Sequence, residues 1–402
     1  MFPKMNFSKI GLLPRVILAI ILGMTLGPYV DPIFVRCCAT FNGLFGQLLG
    51  FAVPLIILGL VAPGIADLGR SGGRLLAVTV LLAYASTIFA GTFAYSSCSA
   101  IFPNFLGLAG ETNAVAGNVP DSLDLLAPMF SITIPPPLDV MTALVLAFVL
   151  GIGMAVTGSE TLKRGFAESR TIVELLIAKV IVPFLPLHIF GLFLNISHSG
   201  AAARIIQDFG LVIGIIFVLH VLLLLIQFAI AGLFARRNPL TMLWTMLPAY
   251  MTAVGTASSA ATIPVTLASA KKLGIRDDVA EFCIPLCATI HLSGSMLKIT
   301  ATSLAICLMY GMPHNPALFA GFIMLLGVLM IAAPGIPGGA IMAATGLLQS
   351  SLGFNDPQVG LMIAIYLAID SFGTAGNVTG DGAIAVIVDR VAVAGETGNR
   401  SK

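Results

Sequence analysis

Asp370, Gly373, Thr374, Asn377 and Asp381 stand three, one, three and four positions apart near the C-terminal end of the chain. On a helix those spacings place all five on one stripe. The stripe brings two carboxylates, a hydroxyl and an amide into an apolar run, where charge is costly and marks a functional site. Its oxygens suit an ammonium group and a metal cation; the alternative is a pair of buried carboxylates satisfied by Lys298 or by water. A shared-proton dyad is excluded, because eleven residues on a continuous helix separate the two aspartates by ~16 Å. No HExxH and no Ser/His/Asp set accompanies them. The chain is therefore read as a binding or transport protein and not as an enzyme.

Four more polar residues, His291, Ser293, Ser295 and Lys298, interrupt a second apolar run. A buried lysine needs a counter-ion, and Asp370 and Asp381 are the candidates. Ser258 and Ser259 lie in the middle of a third apolar stretch. Hydroxyls and free N–H groups at the start of a half-helix suit a carboxylate, although small residues there also permit close packing. The stretch Pro334, Gly335, Ile336, Pro337, Gly338 and Gly339 forms a tip that could gate a site or simply turn the chain. Cys283 and Cys287 share a helix face; without CxxC spacing they are read as core residues.

Elements able to hold these groups follow from composition. Of 402 residues, 58% are hydrophobic and only 9% charged, against roughly 25% charged in soluble domains. The net charge of +2 gives no reason to expect a nucleic-acid partner. Long apolar runs indicate helices spanning a bilayer, not barrel strands. Full spans are expected near 11–30, 43–66, 75–102, 138–157, 171–197, 207–235, 279–310 and 358–388, the first of them retained and not cleaved. Lys4, Lys9, Arg15, Arg70, Arg74, Lys163, Arg164, Arg170, Arg236 and Arg237 then share the cytoplasmic side. The stretch 239–270 is followed by Lys271, Lys272 and Arg276, so the same rule makes it a re-entrant hairpin. The stretch 316–352, flanked by His314 and Asp356, becomes a matching hairpin from the other face. The expectation is an all-α polytopic membrane protein of eight transmembrane helices and two re-entrant hairpins, in inverted repeats, with both termini cytoplasmic.

Three motifs carry a family resemblance. Ser258 to Val265 resembles the serine-rich first hairpin of the dicarboxylate/amino acid:cation symporter family, the glutamate-transporter homologues. Gly335 to Met342 resembles its second hairpin, and Asn377-Val378-Thr379-Gly380-Asp381 its last-helix motif. The resemblance implies a homotrimer in the inner or plasma membrane. It further implies a scaffold within 1–235, a transport domain within 236–392 that moves like an elevator, and a cytoplasmic tail at 393–402. It also implies a sodium ion held by Asp381, Asn377 and the backbone carbonyls of His291 and Cys287, with no other cofactor. Substrate would meet Asp370 through its amino group and Asn377 and Ser259 through its α-carboxylate, with Ser258, Thr374 and the second hairpin tip around it.

Departures from the family pattern shape the functional reading. Acidic-substrate members carry an arginine where this chain has Gly373, and the family's seventh-helix motif carries an aspartate, associated with another sodium site, where this chain has Ser293. The first change favours a small neutral amino acid over an acidic one or a C4-dicarboxylate. The second, with Ser295 and Lys298 nearby, suggests fewer sodium ions per substrate and a coupling role for the lysine. An uncoupled exchanger or a receptor-like binding protein is the alternative from another class.

Overall fold

A computed structural model describes residues 12–70, 74–105, 125–200, 202–333 and 337–399. Lys4, Lys9, most of the 103–137 connection, Pro334, Gly335, Ile336 and the chain beyond Asn399 lie outside the described residues. Among the described residues the secondary structure is helical, without strands. The first part contains α1 (Leu12–Leu26), α2 (Pro32–Arg70), α3 (Arg74–Ile101), α4 (Val140–Thr157), α5 (Glu160–Leu176), α6 (Val182–His198) and α7 (Ala202–Ala235). A π turn at Ile177–Ile181 joins α5 to α6 without a break. Hydropathy located the apolar part of each helix but not its ends. The span expected from 171 begins at Glu160, because Lys163, Glu168 and Arg170 prolong the helix past the apolar stretch into a polar one. Val145, Val149, Ile152 and Val156 on α4, with Val218, Val221 and Leu233 on α7, point outward. A bilayer is the solvent that tolerates such faces.

The second part reads α8 (Pro239–Thr245), α9 (Leu247–Thr256), α10 (Ser259–Lys272), α11 (Asp277–Ile290), α12 (Ser293–Met309), α13 (Pro316–Ala332), α14 (Gly339–Leu352), α15 (Asp356–Ala368) and α16 (Asp370–Asn399). α9 packs on α10, and α13 packs on α14. The turn between α9 and α10 is made by Ala257 in the left-handed region, at φ 50°, a conformation that costs a non-glycine residue about 1–2 kcal/mol. Ser258 then caps α10, its Oγ accepting from the Ala261 N–H at 3.3 Å. The ends of this segment meet, since the Arg237 guanidinium donates to the Leu273 carbonyl. The ends of the later segment also meet: Gln358 Nε2 donates to Met312 Sδ at 3.3 Å.

Two helices expected to be continuous are broken. The 279–310 run divides between α11 and α12 at His291 and Leu292, whose backbones are non-helical. The 358–388 run bends by 63° between α15 and α16. Both breaks were hidden because their residues are good enough helix formers; tertiary contacts, described below, hold them open.

Among the described residues, five helical stretches are long and apolar enough to cross a membrane, and the bent α15–α16 pair makes a sixth if taken as one span. Burial sorts them. The α11–α12 stretch is 94% buried over its most apolar window, against 33% for α3 and 39% for α7. The broken helices therefore run through the protein interior and the others surround them. α16 packs on α7, α9, α10, α11 and α12, which places its polar stripe at their meeting point.

Because Arg237 touches the end of α10, the segment between them leaves and returns at one level. In a background lacking the exposed Cys37, single cysteines at the exposed positions Asn238 and Lys272 should react with an impermeant maleimide from the same face of sealed vesicles. Reaction from opposite faces would contradict the hairpin.

Candidate functional site

The break between α11 and α12 is held open by a side chain from α16. Asn377 Oδ1 accepts from the N–H groups of Gly294 at 2.8 Å and Ser295 at 3.3 Å, and its Nδ2 donates to Ser295 Oγ at 3.2 Å. These are first-turn N–H groups with no partner inside their own helix, and burying one unpaired costs about 1–3 kcal/mol. The approach is close enough to require glycine. A Cβ on Gly294 would lie 2.5 Å from the Gly373 carbonyl oxygen. From α7, His220 presents Nε2 to the Gly294 carbonyl at 3.1 Å and Nδ1 to the Ile216 carbonyl at 2.9 Å.

One turn into α12, Lys298 is wholly buried and crosses to the start of α16. Its ammonium donates to Asp370 Oδ1 at 3.0 Å and lies 3.7 Å from the centre of the Tyr366 ring. The other carboxylate oxygen of Asp370 accepts from the Gly338 N–H at 2.8 Å. Gly338 sits at φ 75°, left-handed backbone that glycine adopts without penalty. Asp370 is also the first residue of α16, where the helix dipole favours negative charge by roughly 0.3–1 kcal/mol. The carboxylate thus joins α12, the second hairpin tip and the α15–α16 bend. Tyr366 extends the cluster by donating from its hydroxyl to Ser295 Oγ at 3.0 Å.

A second cluster forms around Asp381. His291 Nδ1 faces Asp381 Oδ1 at 2.9 Å, and Nε2 faces Ser86 Oγ of α3 at 3.0 Å. An ionised carboxylate can only accept, so the proton belongs on Nδ1. Gln227 of α7 donates from Nε2 to Ser86 Oγ at 3.0 Å and to Ser293 Oγ at 3.1 Å. Asp381 Oδ2 is buried with no hydrogen-bond partner among the described residues. An unpartnered anionic oxygen in a dry interior is costly. It lies beside the C-terminal end of α11, where carbonyls outnumber N–H donors. A buried, unpartnered carboxylate oxygen is a hard anionic donor of the kind that suits a monovalent cation.

The structure brings most of the sequence-derived residues into these two clusters. Asp370, Lys298 and Gly338 form one, with Gly373 against the lysine; Asp381, His291 and Ser293 form the other; Asn377 and Ser295 lie between. Thr374 is buried on the same helix. The Cys287 carbonyl accepts from the His291 N–H at 2.8 Å, and Cys283 and Cys287 lie in an apolar core cluster. Ser258 and Ser259 are at the start of α10, with Ser259 buried. Pro337 is at the second tip, while Gly335 and Ile336 are outside the described residues. The sequence reading missed Ser86, His220, Gln227 and Tyr366. His220 and Gln227 carried a signal, being two polar side chains seven residues apart in the apolar run of α7. Ser86 and Tyr366 carried none, since serine and tyrosine are ordinary in such helices.

With that geometry in view, comparison with known proteins is informative. A family model described as the sodium:dicarboxylate symporter family matches residues 12–391. A serine/threonine transporter, SstT, of Acinetobacter baumannii strain ATCC 17978 is 29% identical over 404 aligned positions, covering 95% of this chain and 97% of the relative. The protein of the same name from Acinetobacter baumannii strain SDF is 30% identical with the same coverage.

The Lys298–Asp370 pair should behave as one unit in stability. Asp370→Ala strands a buried ammonium, so unfolding of the detergent-solubilised protein should be easier by roughly 3–5 kcal/mol. Lys298→Met combined with Asp370→Asn should lose much less than the two single variants summed. Strictly additive losses would show that the two side chains do not depend on each other.

Proposed function

The chain belongs to the sodium:dicarboxylate symporter family, and we propose that it imports a small neutral amino acid together with sodium across the inner or plasma membrane. Family membership makes it an integral membrane transporter and not an enzyme. The observation that carries the substrate reading is the environment of the Lys298 ammonium. A carboxylate at 3.0 Å and an aromatic face at 3.7 Å already cradle one primary ammonium in this interior. A substrate amino group asks for the same surroundings. Position 373 is glycine, so it offers no cation for a side-chain carboxylate. Burying such a group unpaired would cost several kcal/mol. The serine/threonine transporters that resemble this chain support a small neutral substrate.

In this reading Asp370 holds the substrate's ammonium. Ser258, Ser259 and the start of α10 face its carboxylate side. Thr374 lines the pocket, and Pro337 and Gly338, with Gly335 and Ile336, close over it. Asn377 positions the α11–α12 break. Asp381, Asn377 and the carbonyls of His291 and Cys287 would hold sodium, whose charge offsets Asp381 when bound. Ser293 offers a hydroxyl where a carboxylate would hold a further cation better, so a low sodium stoichiometry follows. Residues within 236–392 would move as the transport domain, elevator-fashion, against a scaffold drawn from 1–235 in a homotrimer. Eight spans, two hairpins of opposite entry and cytoplasmic termini complete the reading. Lys298 is the observation that favours a second substrate class, C4-dicarboxylates or acidic amino acids, because it places a cation beside Gly373.

Reconstituted into liposomes, the protein should accumulate serine or threonine when sodium is high outside, and take up aspartate and succinate at least tenfold more slowly. A preference for aspartate or succinate would transfer the assignment to the second class. Exchange of internal for external serine without gradient-driven accumulation would make the protein an exchanger. Asp381→Asn should abolish the sodium stimulation; full stimulation in that variant would displace the cation site.

A further inference from the structure

Lys298 and Gly373 belong to different helices, yet each explains the other. A glycine inside a helix costs about 0.5–1 kcal/mol relative to alanine, so its presence in α16 needs a reason. A Cβ at position 373 would stand 2.4 Å from Lys298 Nζ and 2.3 Å from its Cε. The lysine reaches Asp370 only because position 373 carries no side chain. Its ammonium then makes one hydrogen bond, to Asp370, and lies over one ring face, that of Tyr366. A lysine has three N–H donors, and no further acceptor is found for Nζ among the described residues. Lys298 is therefore bound as a small primary ammonium ligand would be, with donor capacity to spare.

Resting on the amino-acid reading above, we infer that Lys298 is a tethered stand-in for the substrate's amino group, and that a zwitterion binds by inserting into the Lys298–Asp370 pair. The substrate ammonium takes Asp370, and the substrate carboxylate, whose second oxygen faces Ser258 and Ser259, takes the displaced Lys298 ammonium. One ion pair becomes two, and no charge is left bare. No other ligand class meets that condition. An amine without a carboxylate would leave two cations sharing Asp370. A carboxylate without an amine would leave Lys298 between two anions. The remaining groups nearby do not relieve either case. Asn377 is committed to Gly294 and Ser295, and His291 is paired with Asp381. His220 faces two carbonyls. The lysine also keeps Asp370 neutralised, and the Gly338 N–H bonded to it, when no substrate is present. Lys298 is thus a specificity-determining residue for the whole zwitterion, beyond any preference set by the substrate side chain.

The test uses the purified full-length protein in sodium and three probes that share a skeleton: L-serine, ethanolamine, which lacks the carboxylate, and glycerate, which has a hydroxyl for the amine. Calorimetric titration of the wild type should give serine binding at least 100-fold tighter than either fragment. In Lys298→Met the serine affinity should fall at least tenfold while ethanolamine holds or improves, so that the serine-to-ethanolamine ratio collapses. Gly373→Ala, which crowds the lysine's flexible end away from Asp370 and improves helix propensity, should raise ethanolamine binding with the lysine still present. Wild-type protein that binds ethanolamine as tightly as serine overturns the inference even if Lys298→Met fails to fold. Serine binding with an unchanged ratio in both variants overturns it and leaves the amino-acid reading standing. Failure of wild type to bind serine at all overturns that reading as well.

Discussion

A helix interrupted away from water leaves N–H and C=O groups that must find partners within the protein. This constraint organises the structure. The interruptions at 257–258, at 291–292 and at 369 would each be prohibitive in hydrocarbon. They are tolerated because they lie where α16 passes. Asn377 supplies the acceptor for two N–H groups of α12. Asp370 supplies the acceptor for the Gly338 N–H at the second hairpin tip. The same oxygens and the same unspent backbone groups are what a small charged solute can bind. On the proposed reading stability and function would draw on one set of atoms, and a substitution at Asp370 or Asn377 would touch both.

Charge is divided along α16 into two zones. Asp370, at the start of the helix, is answered by Lys298; Asp381, three turns on, is answered by His291. The two zones differ in what they leave over. Asp370 has a partner on each oxygen, the Lys298 ammonium on one and the Gly338 N–H on the other. Asp381 keeps one oxygen unpartnered, so a cation there can be added without displacing anything. On the proposed reading, this division would separate an organic ammonium from an inorganic cation within a single helix. Asn377 and Ser295 lie between the zones and touch the α12 start, which gives each zone a route to feel the other. By contrast, the exposed pairs of Lys271 with Asp277 and Glu281 are of the surface kind, worth little to stability.

Burial reinforces the division of labour among helices. The α11–α12 stretch has almost no outward face, whereas α3, α4 and α7 present branched aliphatic side chains outward. A helix wrapped on all sides can be broken, because its neighbours supply the missing partners; a helix facing lipid cannot. The breaks at 291–292 and 369 accordingly fall in the central helices, and α5 and α6 run continuously through the π turn at Ile177–Ile181.

Much of this was legible in the residues alone. Apolar runs specify helices, because the cost of unpaired backbone in hydrocarbon admits little else. Basic residues at 236–237 and 271–276 indicated that the segment between them returns on itself, and Arg237 does meet Leu273. The stripe on α16 was readable because helical periodicity is local. Three features were not readable, and the reason is common to them. The breaks at 291–292 and 369 are sustained by Asn377 and by the convergence on Asp370, contacts between residues 72 or more positions apart in the case of α12 and α16. Lys298 had two possible counter-ions in sequence, and only the fold, by setting it against a glycine with no side chain to obstruct it, chose Asp370. The Asp381 cluster draws Ser86 and Gln227 from two other helices, and nothing in the local pattern of either helix says which neighbour it will face. Sequence determines which segments are helices and which residues are too polar to be idle; tertiary packing alone decides which of those residues meet, because partner choice depends on distances that no local periodicity encodes.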